Sequence, residues 1–307
     1  MSAETETPRP MDFLLPERLD EALEAMAARA GTVPVAGGTD VMVRLGTGHE
    51  RPAAAVDLTR IVCLSRWERT AGGIRLGATV PYTRIAGELA APLPGLAAAA
   101  RTVGSRQIRN RGTVGGALGT ASPTGDVHPM LLACGAEVEL VSVRGARRVP
   151  VRDFYTGPGR TVRAPDELIR AVRVPEAEGP QAYAKAGRRG AVVMATCSFA
   201  VALWPSRAWV GTGIGSAAPV PRPAPEAEQF VARELGELRL WQTRGPLPDD
   251  VLARFGELAA AATAPADDVR GSSAYRRHAV AVLARRTLGR VWDDYRAHRR
   301  TEGEPCT

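Results

Sequence analysis

The sequence predicts an α+β fold, in which strands and helices mix without strict alternation. Short apolar patterns typical of strands occur along much of the chain, as at residues 32–36 and 54–58. Apolar residues at helical spacing occur between them and again near the carboxyl end. Because the regular strand–helix–strand order of a doubly wound parallel sheet is missing, that alternative is not expected.

Each element follows from a local pattern. A first helix over 16–30 is indicated by the spacing of Leu19, Leu23 and Met26, and Gly31 ends it. Further helices are predicted over 82–90, 96–103, 129–134 and 273–288. Strands are predicted over 32–36, 54–58, 73–78, 136–141, 168–174, 191–204 and 208–214.

The chain is expected to contain two domains between short tails. Its 307 residues suffice for two domains that each bury a core. The segment 175–180, rich in proline and glutamate, is the candidate boundary. The first domain is placed at 11–177, with a division into two subdomains near residue 60, and the second at 178–295. Residues 1–10 are assigned to a disordered tail and 296–307 to a second tail.

Composition excludes several classes of protein. Hydrophobic residues make up 45% of the chain and charged residues 24%, as in soluble globular proteins. No apolar run approaches the roughly 20 residues of a membrane span, and residues 1–10 lack the order of a signal peptide, so a cytoplasmic protein is expected. The net charge of +7 is dispersed and aromatic residues make up only 5%, which favours a generally basic surface over nucleic-acid binding.

No metal site is predicted. The cysteines do not form a Cys-x-x-Cys pair and the histidines are scattered, so neither a zinc site nor an iron–sulfur cluster is indicated. Among the 40 basic residues Lys185 is the single lysine. Because arginine does not replace a compact, titratable ammonium, this lysine is either retained for a function or retained by accident.

A first glycine-rich segment is a candidate binding element. It consists of Val35, Ala36, Gly37, Gly38, Thr39 and Asp40. Adjacent glycines let a backbone approach a ligand, and successive N–H groups in such a turn can hold an anion. The segment is therefore a candidate pyrophosphate cradle, although an ordinary tight turn has the same composition. It matches neither the G-x-G-x-x-G fingerprint nor a Walker A loop.

A second glycine-rich segment, residues 109–126, is predicted to be a long polar loop. Its candidate residues are Thr113, Gly115, Gly116, Thr120, Ser122 and Asp126. Structureless loops longer than about 12–15 residues are uncommon unless they have a function. Two polar, glycine-lined segments suit a long ligand with a pyrophosphate and a ribose. A carboxylate can accept hydrogen bonds from the ribose hydroxyl groups.

Several short motifs occur in a characteristic order. They are Ala-Gly-Gly-Thr-Asp at 36–40, Ile-Arg-Asn-Arg-Gly-Thr-Val-Gly-Gly at 108–116 and Ser-Pro-Thr-Gly-Asp at 122–126, then the stretches 56–58, 165–169, 185–189, 213–219 and 267–277. In this order they resemble the FAD-binding subunits of molybdenum hydroxylases, a family that includes xanthine dehydrogenase and carbon monoxide dehydrogenase. The sequences of these motifs are most similar to those of the bacterial xanthine dehydrogenase flavin subunits. The resemblance extends over residues 11–295.

The resemblance implies a fold, a cofactor and partners. The fold would be a two-subdomain FAD-binding domain of the vanillyl-alcohol oxidase-like (PCMH) type, followed by a smaller α+β domain like that of carbon monoxide dehydrogenase flavoproteins. FAD would be bound without a covalent link. The partners would be a large subunit with a molybdenum cofactor and a small subunit with 2Fe–2S clusters, in a heterotrimer or its dimer.

The resemblance also implies roles for individual residues. The segment from Val35 to Asp40 would surround the pyrophosphate, and Thr113, Gly115, Gly116, Thr120 and Ser122 would line the other side. Asp126 would hold the sugar or ring end, and Ile169 would contact the ring system. Lys185 would lie near the flavin, where a cation favours the anionic reduced form. The alternative for Lys185 is a surface ammonium paired with a carboxylate.

The chain departs from the family pattern at a few positions. Ala117 stands where many members have asparagine, and no aspartate follows the pair Arg188–Arg189. Gly119 stands where a bulkier residue packs on the flavin in some members. These departures leave the tuning of the flavin, and hence its electron acceptor, open. A covalent link to His128, which follows the second segment closely, is a minor alternative to non-covalent binding.

The function implied is electron transfer within a larger enzyme. Electrons from the 2Fe–2S clusters would pass through FAD to NAD⁺ or another acceptor, while the partner subunit hydroxylates the substrate. A free-standing FAD-dependent oxidoreductase of the same fold is one alternative, and it would need catalytic acids or bases that are not evident in the sequence. A non-catalytic assembly scaffold is the other, and the two intact Gly-Gly pairs argue against it.

Overall fold

The computed structural model describes residues 11–47, 52–187 and 194–302. Its strands are β1 (Asp12–Leu14), β2 (Thr32–Val35), β3 (Ala54–Asp57), β4 (Trp67–Thr70), β5 (Gly73–Gly77), β6 (Glu137–Ser142), β7 (Gly145–Pro150), β8 (Tyr155–Gly157), β9 (Arg160–Thr161), β10 (Leu168–Val174), β11 (Gln181–Ala186), β12 (Cys197–Trp204) and β13 (Trp209–Gly215). Its helices are α1 (Leu19–Ala28), α2 (Val41–Gly46), α3 (Tyr82–Glu88), α4 (Pro94–Thr102), α5 (Arg106–Arg111), α6 (Val114–Thr120), α7 (His128–Ala133), α8 (Pro225–Glu237), α9 (Leu240–Thr243), α10 (Asp249–Ala261) and α11 (Ser273–Glu302).

The first layer is a small parallel sheet in the order β1-β3-β2. Helix α1 covers it with the apolar stripe that the sequence predicts, since Leu23 and Met26 are buried against Val56 and Leu58. The helix begins at Leu19, three residues after the expected Pro16. Because β2 and β3 run in parallel, their carboxyl ends meet at one edge, and the first glycine-rich segment leaves β2 at that edge.

The second layer is an antiparallel sheet in the order β4-β5-β10-β6-β7. Its central strand β10 has the bounds that the sequence predicts and pairs with β5 on one side and β6 on the other. Helices α3, α4, α6 and α7 contribute apolar side chains to the same core, among them Ile85, Leu96, Leu118 and Leu131, all fully buried.

The third layer is the antiparallel sheet β11-β12-β13, which separates two cores. Strand β12 is buried along its whole length. Since successive side chains of a strand point to opposite faces, Ala200 and Ala202 pack into the core of the second layer. Phe199 and Val201 pack instead against α8, α10 and α11. One strand thus serves both halves of the molecule.

Three glycines bring β13 into backbone contact with α7. A Cβ placed on Gly211 would lie 2.1 Å from the carbonyl oxygen of Ala133, and one on Gly213 would lie 1.9 Å from that of Pro129. A Cβ on Gly215 would lie 2.8 Å from the Pro129 ring. Alternate positions of a strand share one face, so these glycines form a flat surface on which the helix rests.

The α+β prediction is confirmed, but the second glycine-rich segment is not the long loop that was expected. It contains the end of helix α5 and the whole of helix α6, and each helix begins at a side-chain cap. Ser105 Oγ accepts a hydrogen bond from the N–H of Ile108 at 3.3 Å, and Thr113 Oγ1 accepts one from Gly116 at 3.0 Å. Glycine content suggested a loop, whereas capping and burial of Leu118 stabilise a short helix.

Other expectations differ at the ends of elements. The strand expected over 191–204 begins at Cys197, and residues 191–193 lie outside the described ranges. The last helix continues from Ser273 well past Leu288. The sequence patterns gave no indication of the short strands β1, β4, β7 and β11. None of the helices in the described ranges combines the length and apolar character that a membrane crossing requires.

The contact between β13 and α7 gives a test of the fold. We expect Gly213→Ala to lower the free energy of unfolding by about 3 kcal/mol, because a backbone carbonyl cannot move aside as a side chain can. The matched control is Gly236→Ala, at a helical glycine of α8 with no atom within 4 Å of the added Cβ. It should gain about 0.5–1 kcal/mol. Urea denaturation of both variants measures the difference, and equal stability of the two would refute the contact.

Candidate functional site

A cavity of about 620 Å³ lies where the first two layers meet the turn that precedes α7. This volume is within the range of small-molecule and cofactor sites. The sequence-predicted residues that line it are Ala36, Gly37, Gly38, Thr39, Asp40, Thr113, Gly115, Gly116, Thr120, Ser122, Asp126 and Ile169. Val35 points instead into a small core with Val41 and Ala55. Lys185 is not a lining residue, but it forms an ion pair with Asp126, which is one.

The first glycine-rich segment forms the turn between β2 and α2. Gly38 has a φ of +78°, in the left-handed region that favours glycine. The carbonyls of Gly38 and Asp40 accept bonds from Met42 and Arg44 as the helix begins. The N–H groups of Gly37, Gly38, Thr39 and Asp40, however, meet no acceptor among the described residues. Successive free N–H groups at a cavity wall form an anion-binding nest.

The first segment also touches the carboxyl end of α5. A Cβ on Gly37 would lie 1.8 Å from the carbonyl oxygen of Arg111, so only glycine fits between the two backbones. On the other side, the Thr120 hydroxyl lies 3.5 Å from a carboxylate oxygen of Asp40. The two segments therefore form facing walls of one cavity, as expected for a ligand bound between them.

The second Gly-Gly pair differs from the first in the use of its N–H groups. The N–H of Gly115 donates to the carbonyl of Ala78 at 3.2 Å, and that of Gly116 donates to the Thr113 hydroxyl. A Cβ on Gly115 would lie 2.5 Å from the Cβ of Ala78, so this glycine allows α6 to pack closely on the chain that follows β5. Of the two pairs, the first therefore supplies the free anion-binding donors.

The turn from Ser122 to Asp126 closes one end of the cavity. The Ser122 hydroxyl lies 3.0 Å from that of Thr124 and accepts a bond from the Thr124 N–H. The N–H of Gly125 donates to the carbonyl of Ser122 at 3.1 Å. These local bonds give the turn a defined shape and present hydroxyl groups to the cavity.

A buried ion pair follows this turn. A carboxylate oxygen of Asp126 lies 2.8 Å from Lys185 Nζ, and the other accepts a bond from the Tyr183 hydroxyl at 2.9 Å. Lys185 also donates to the carbonyl of Thr102. Burial raises the pKa of the Asp126 carboxyl, and the Lys185 ammonium opposes that rise. The side chain of Lys185 is only 17% exposed, so its ammonium is paired with a carboxylate but does not lie on the surface.

Several lining residues were missed by the sequence analysis. They are Arg44, Leu58, Tyr82, Val103, Ile108, Gly159, Arg163, Leu168 and Met194. Arg163 brings a cation to the wall, where it donates to the carbonyl of Glu167 at 2.6 Å and burial lowers its pKa. Leu58, Ile108 and Leu168 had a signal, since they lie in the motifs at 56–58, 108–116 and 165–169. The others reach the cavity through tertiary packing, which no local pattern encodes.

His128 lies in the cavity wall and is fully buried. Its Nδ1 lies 2.8 Å from the hydroxyl of Tyr155, and burial lowers the pKa of the ring to about 4. A Cβ on Gly125 would lie 2.3 Å from Nε2, so the turn covers the imidazole closely. The ring is therefore a neutral, enclosed group at neutral pH.

The arrangement fits an elongated anionic cofactor. It offers free N–H donors at a glycine turn, hydroxyl groups on the opposite wall and an apolar wall at Leu168 and Ile169. Two of the titratable lining side chains are already engaged, Asp126 by Lys185 and His128 by Tyr155. The cavity is thus built to bind and orient a ligand that itself carries the chemistry.

Comparisons with known proteins agree with this geometry. Residues 9–177 match the family model described as the FAD binding domain in molybdopterin dehydrogenase. The chain is 30% identical to the glyceraldehyde dehydrogenase medium chain of Sulfolobus acidocaldarius over 92% of this chain and 99% of that protein. It is 31% identical to the carbon monoxide dehydrogenase medium chain of Afipia carboxidovorans over 92% and 97%. A chain of the Cu,Mo-CO dehydrogenase superposes with a TM-score of 0.84 at 29% identity, covering 94% of this chain and 99% of that one.

The low pKa of His128 predicts a pH-dependent stability. Between pH 4 and the ordinary value of 6.5, the unfolded chain binds a proton that the folded chain excludes. The contribution of the neutral His128 ring to the free energy of unfolding is therefore complete above pH 6.5. It is lost as the pH falls towards 4. We expect the wild type to lose about 3 kcal/mol more than His128→Asn between pH 7.5 and 4. Urea denaturation of the apoprotein at both pH values measures this difference.

The control for this measurement is His278→Asn, which removes an exposed histidine of α11. It should follow the wild type at both pH values. The interpretation is wrong if His128→Asn loses as much stability on acidification as the wild type does.

Proposed function

The chain belongs to the family of FAD-binding domains of molybdopterin dehydrogenases, and from that premise we propose that it is the electron-transfer subunit of a molybdenum hydroxylase. It is a flavoprotein oxidoreductase subunit whose cofactor is FAD. We also propose a direction for the electron transfer. Electrons would arrive from the 2Fe–2S clusters of a small partner subunit and leave towards NAD⁺ or another acceptor.

One observation carries the assignment of the cavity to FAD. Gly37, Gly38, Thr39 and Asp40 present four consecutive N–H groups that no described residue accepts, on a turn packed too closely for any side chain at Gly37. An ordinary tight turn satisfies its donors internally or in water, whereas these donors line a cavity of about 620 Å³ that a ligand can fill. A pyrophosphate supplies the negative oxygens that such a turn binds.

The remaining predicted residues take their roles from their places in the cavity. Thr113, Thr120 and Ser122 would face the cofactor from the opposite wall, and Ile169 would contact the ring system. Asp126, held by Lys185 and Tyr183, would accept a bond from the sugar or ring end through its remaining lone pairs. What FAD supplies when bound is the capacity to take up electrons singly and to release them in pairs.

The pairing of Lys185 with Asp126 gives the lysine an indirect role. Its ammonium opposes the effect of burial, which raises the pKa of the Asp126 carboxyl, and its bond to that carboxyl fixes the orientation of the side chain. We therefore assign Lys185 to positioning Asp126 and to placing positive charge behind the ring end of the cavity, and not to proton transfer.

The proposal includes the rest of the complex. A large subunit with a molybdenum cofactor would hydroxylate the substrate, and the assembly would be a cytoplasmic heterotrimer or its dimer. We also propose a domain boundary at residue 177 and a subdomain boundary near residue 60. Their support is that the family match ends at 177 and that the sheet order changes near each position. A free-standing oxidoreductase is disfavoured, because the buried acid and base of the cavity, Asp126 and His128, are already paired with Lys185 and Tyr155.

The first experiment asks what the purified protein carries. We expect a flavin absorption spectrum, and heat denaturation should release FAD in about a one-to-one ratio to protein, since binding is proposed to be non-covalent. Anaerobic titration of the complex with NADH then tests the acceptor, and bleaching of the flavin would support NAD⁺. Colour that stays with the denatured chain would contradict non-covalent binding and favour His128. A colourless protein that takes up no added FAD would leave the scaffold alternative.

The second experiment tests the anion cradle. We expect Gly37→Ala to weaken FAD binding at least tenfold, because the added methyl group forces the turn away from Arg111 and displaces the free N–H groups. The matched control is Gly46→Ala in α2, where the added Cβ has no neighbour within 4 Å. Fluorescence titration of each apoprotein with FAD gives the two dissociation constants. Equal affinity of the two variants would remove the cradle from the site.

A further inference from the structure

Two of the family motifs lie outside the cavity, and the cofactor does not account for them. One is the stretch 213–219 at the end of β13, and the other is the stretch 267–277 that leads into α11. In the fold they lie against each other, since a guanidinium nitrogen of Arg276 donates to the carbonyl of Ser216. Their contact is centred on the side chain of Arg276.

The guanidinium of Arg276 is buried, with a side-chain exposure of 5%. One of its nitrogens donates to the carbonyl of Ser216 at 3.2 Å, and another donates to the carboxylate of Asp268. Asp268 also accepts bonds from the backbone and side chain of Arg270. Hydrogen bonds from the two arginines lower the pKa of Asp268, so the pair stays ionised. A buried arginine with a paired carboxylate provides a fixed fork of donors.

Ser216 has an unusual backbone conformation. Its φ of +59° lies in the left-handed region, which is unfavourable for a residue other than glycine. Its hydroxyl oxygen is buried without a partner among the described residues, so the side chain does not explain the conformation. The backbone hydrogen bonds of Ser216 explain it. Arg276 donates to the carbonyl of Ser216, and the N–H of Ser216 donates to the carbonyl of Pro123 at 2.9 Å.

Pro123 belongs to the turn from Ser122 to Asp126 that closes the cavity. A short chain of bonds thus leads from Arg276 on α11, through the Ser216 peptide, to the wall of the cofactor site. A second link runs in parallel, since the Thr196 hydroxyl donates to the carbonyl of Arg270 at 3.3 Å. Met194, two residues earlier, lines the same end of the cavity.

We propose that Arg276 is a positioning residue for the FAD site. It holds Ser216 in the left-handed conformation, and Ser216 in turn holds Pro123 and the turn that carries Ser122 and Asp126. The inference rests on FAD as the occupant of the cavity. It assigns to the last domain a direct part in shaping the cofactor site, and it gives the two outlying motifs a common task.

The test is Arg276→Gln, which removes the charge and the fork of donors. We expect the dissociation constant for FAD to rise about tenfold and the visible circular dichroism of the bound flavin to change, because the turn loses its fixed position. Arg277→Gln is the matched control, since this neighbouring arginine is exposed. It should leave both readouts as in the wild type.

A destabilised fold alone would also weaken FAD binding. A second control therefore changes a residue of the same helix that does not contact Ser216. Leu288→Ala removes a fully buried side chain of α11 about three turns beyond Arg276. It should lower the melting temperature of the apoprotein at least as much as Arg276→Gln, yet leave the flavin dichroism unchanged. If the two variants alter the dichroism equally, Arg276 has no more than a structural role and the proposal is wrong.

Rescue by glycine gives the most specific outcome. In the double variant Arg276→Gln with Ser216→Gly, the left-handed conformation no longer needs to be enforced, so FAD affinity should recover in part. No recovery would contradict the proposed route through Ser216. Wild-type protein without affinity for FAD would instead contradict the proposed function, and wild-type affinity in Arg276→Gln would contradict this inference alone.

Discussion

The arrangement of the molecule depends on the close approach of two backbones, those of β13 and α7. The glycines at 211, 213 and 215 leave one face of the strand bare over these residues, so the helix rests directly on it. Helix α7 follows the turn that closes the cavity, and β13 ends at the peptide that binds that turn. The same contact therefore joins two layers of the fold and fixes one wall of the candidate site. Close packing of this kind tolerates no added atoms, which ties the site to the geometry of the third sheet.

Much of the fold follows from local patterns, and the exceptions have physical causes. Strand β10 was predicted with its observed bounds, because five of its seven residues are apolar, three of them β-branched, and most of them are buried. Residues 109–126 were predicted to form a loop, because glycine has a low helix propensity. There Ser105 and Thr113 cap the two short helices, and packing of α6 against β10 and its neighbours outweighs propensity. Short edge strands such as β1 and β7 lack an apolar alternation, so their pairing depends on the tertiary fold.

The candidate site shows the same division. Sequence motifs indicated twelve of the residues that line the cavity, because glycine pairs and hydroxyl groups mark places where a backbone meets a ligand. They gave the two Gly-Gly pairs equal weight, whereas the N–H groups of Gly115 and Gly116 are already bonded within the protein. The lysine singled out by composition lies behind the cavity, paired with Asp126. Which donors stay free and which charges are paired depends on contacts between distant segments, and no spacing along the chain encodes that.

Strand β12 contributes side chains to both large cores, and this has a consequence for biosynthesis. During translation, the first 177 residues emerge before the strand that completes their core has been made. The turn at Pro123 meets its partner Ser216 later still, and the guanidinium that fixes this peptide is later again in the chain. We therefore expect the nascent chain to remain unable to retain flavin until it leaves the ribosome almost complete. Cofactor loading would then report on completion of the whole polypeptide, so truncated products would be left empty and open to proteolysis.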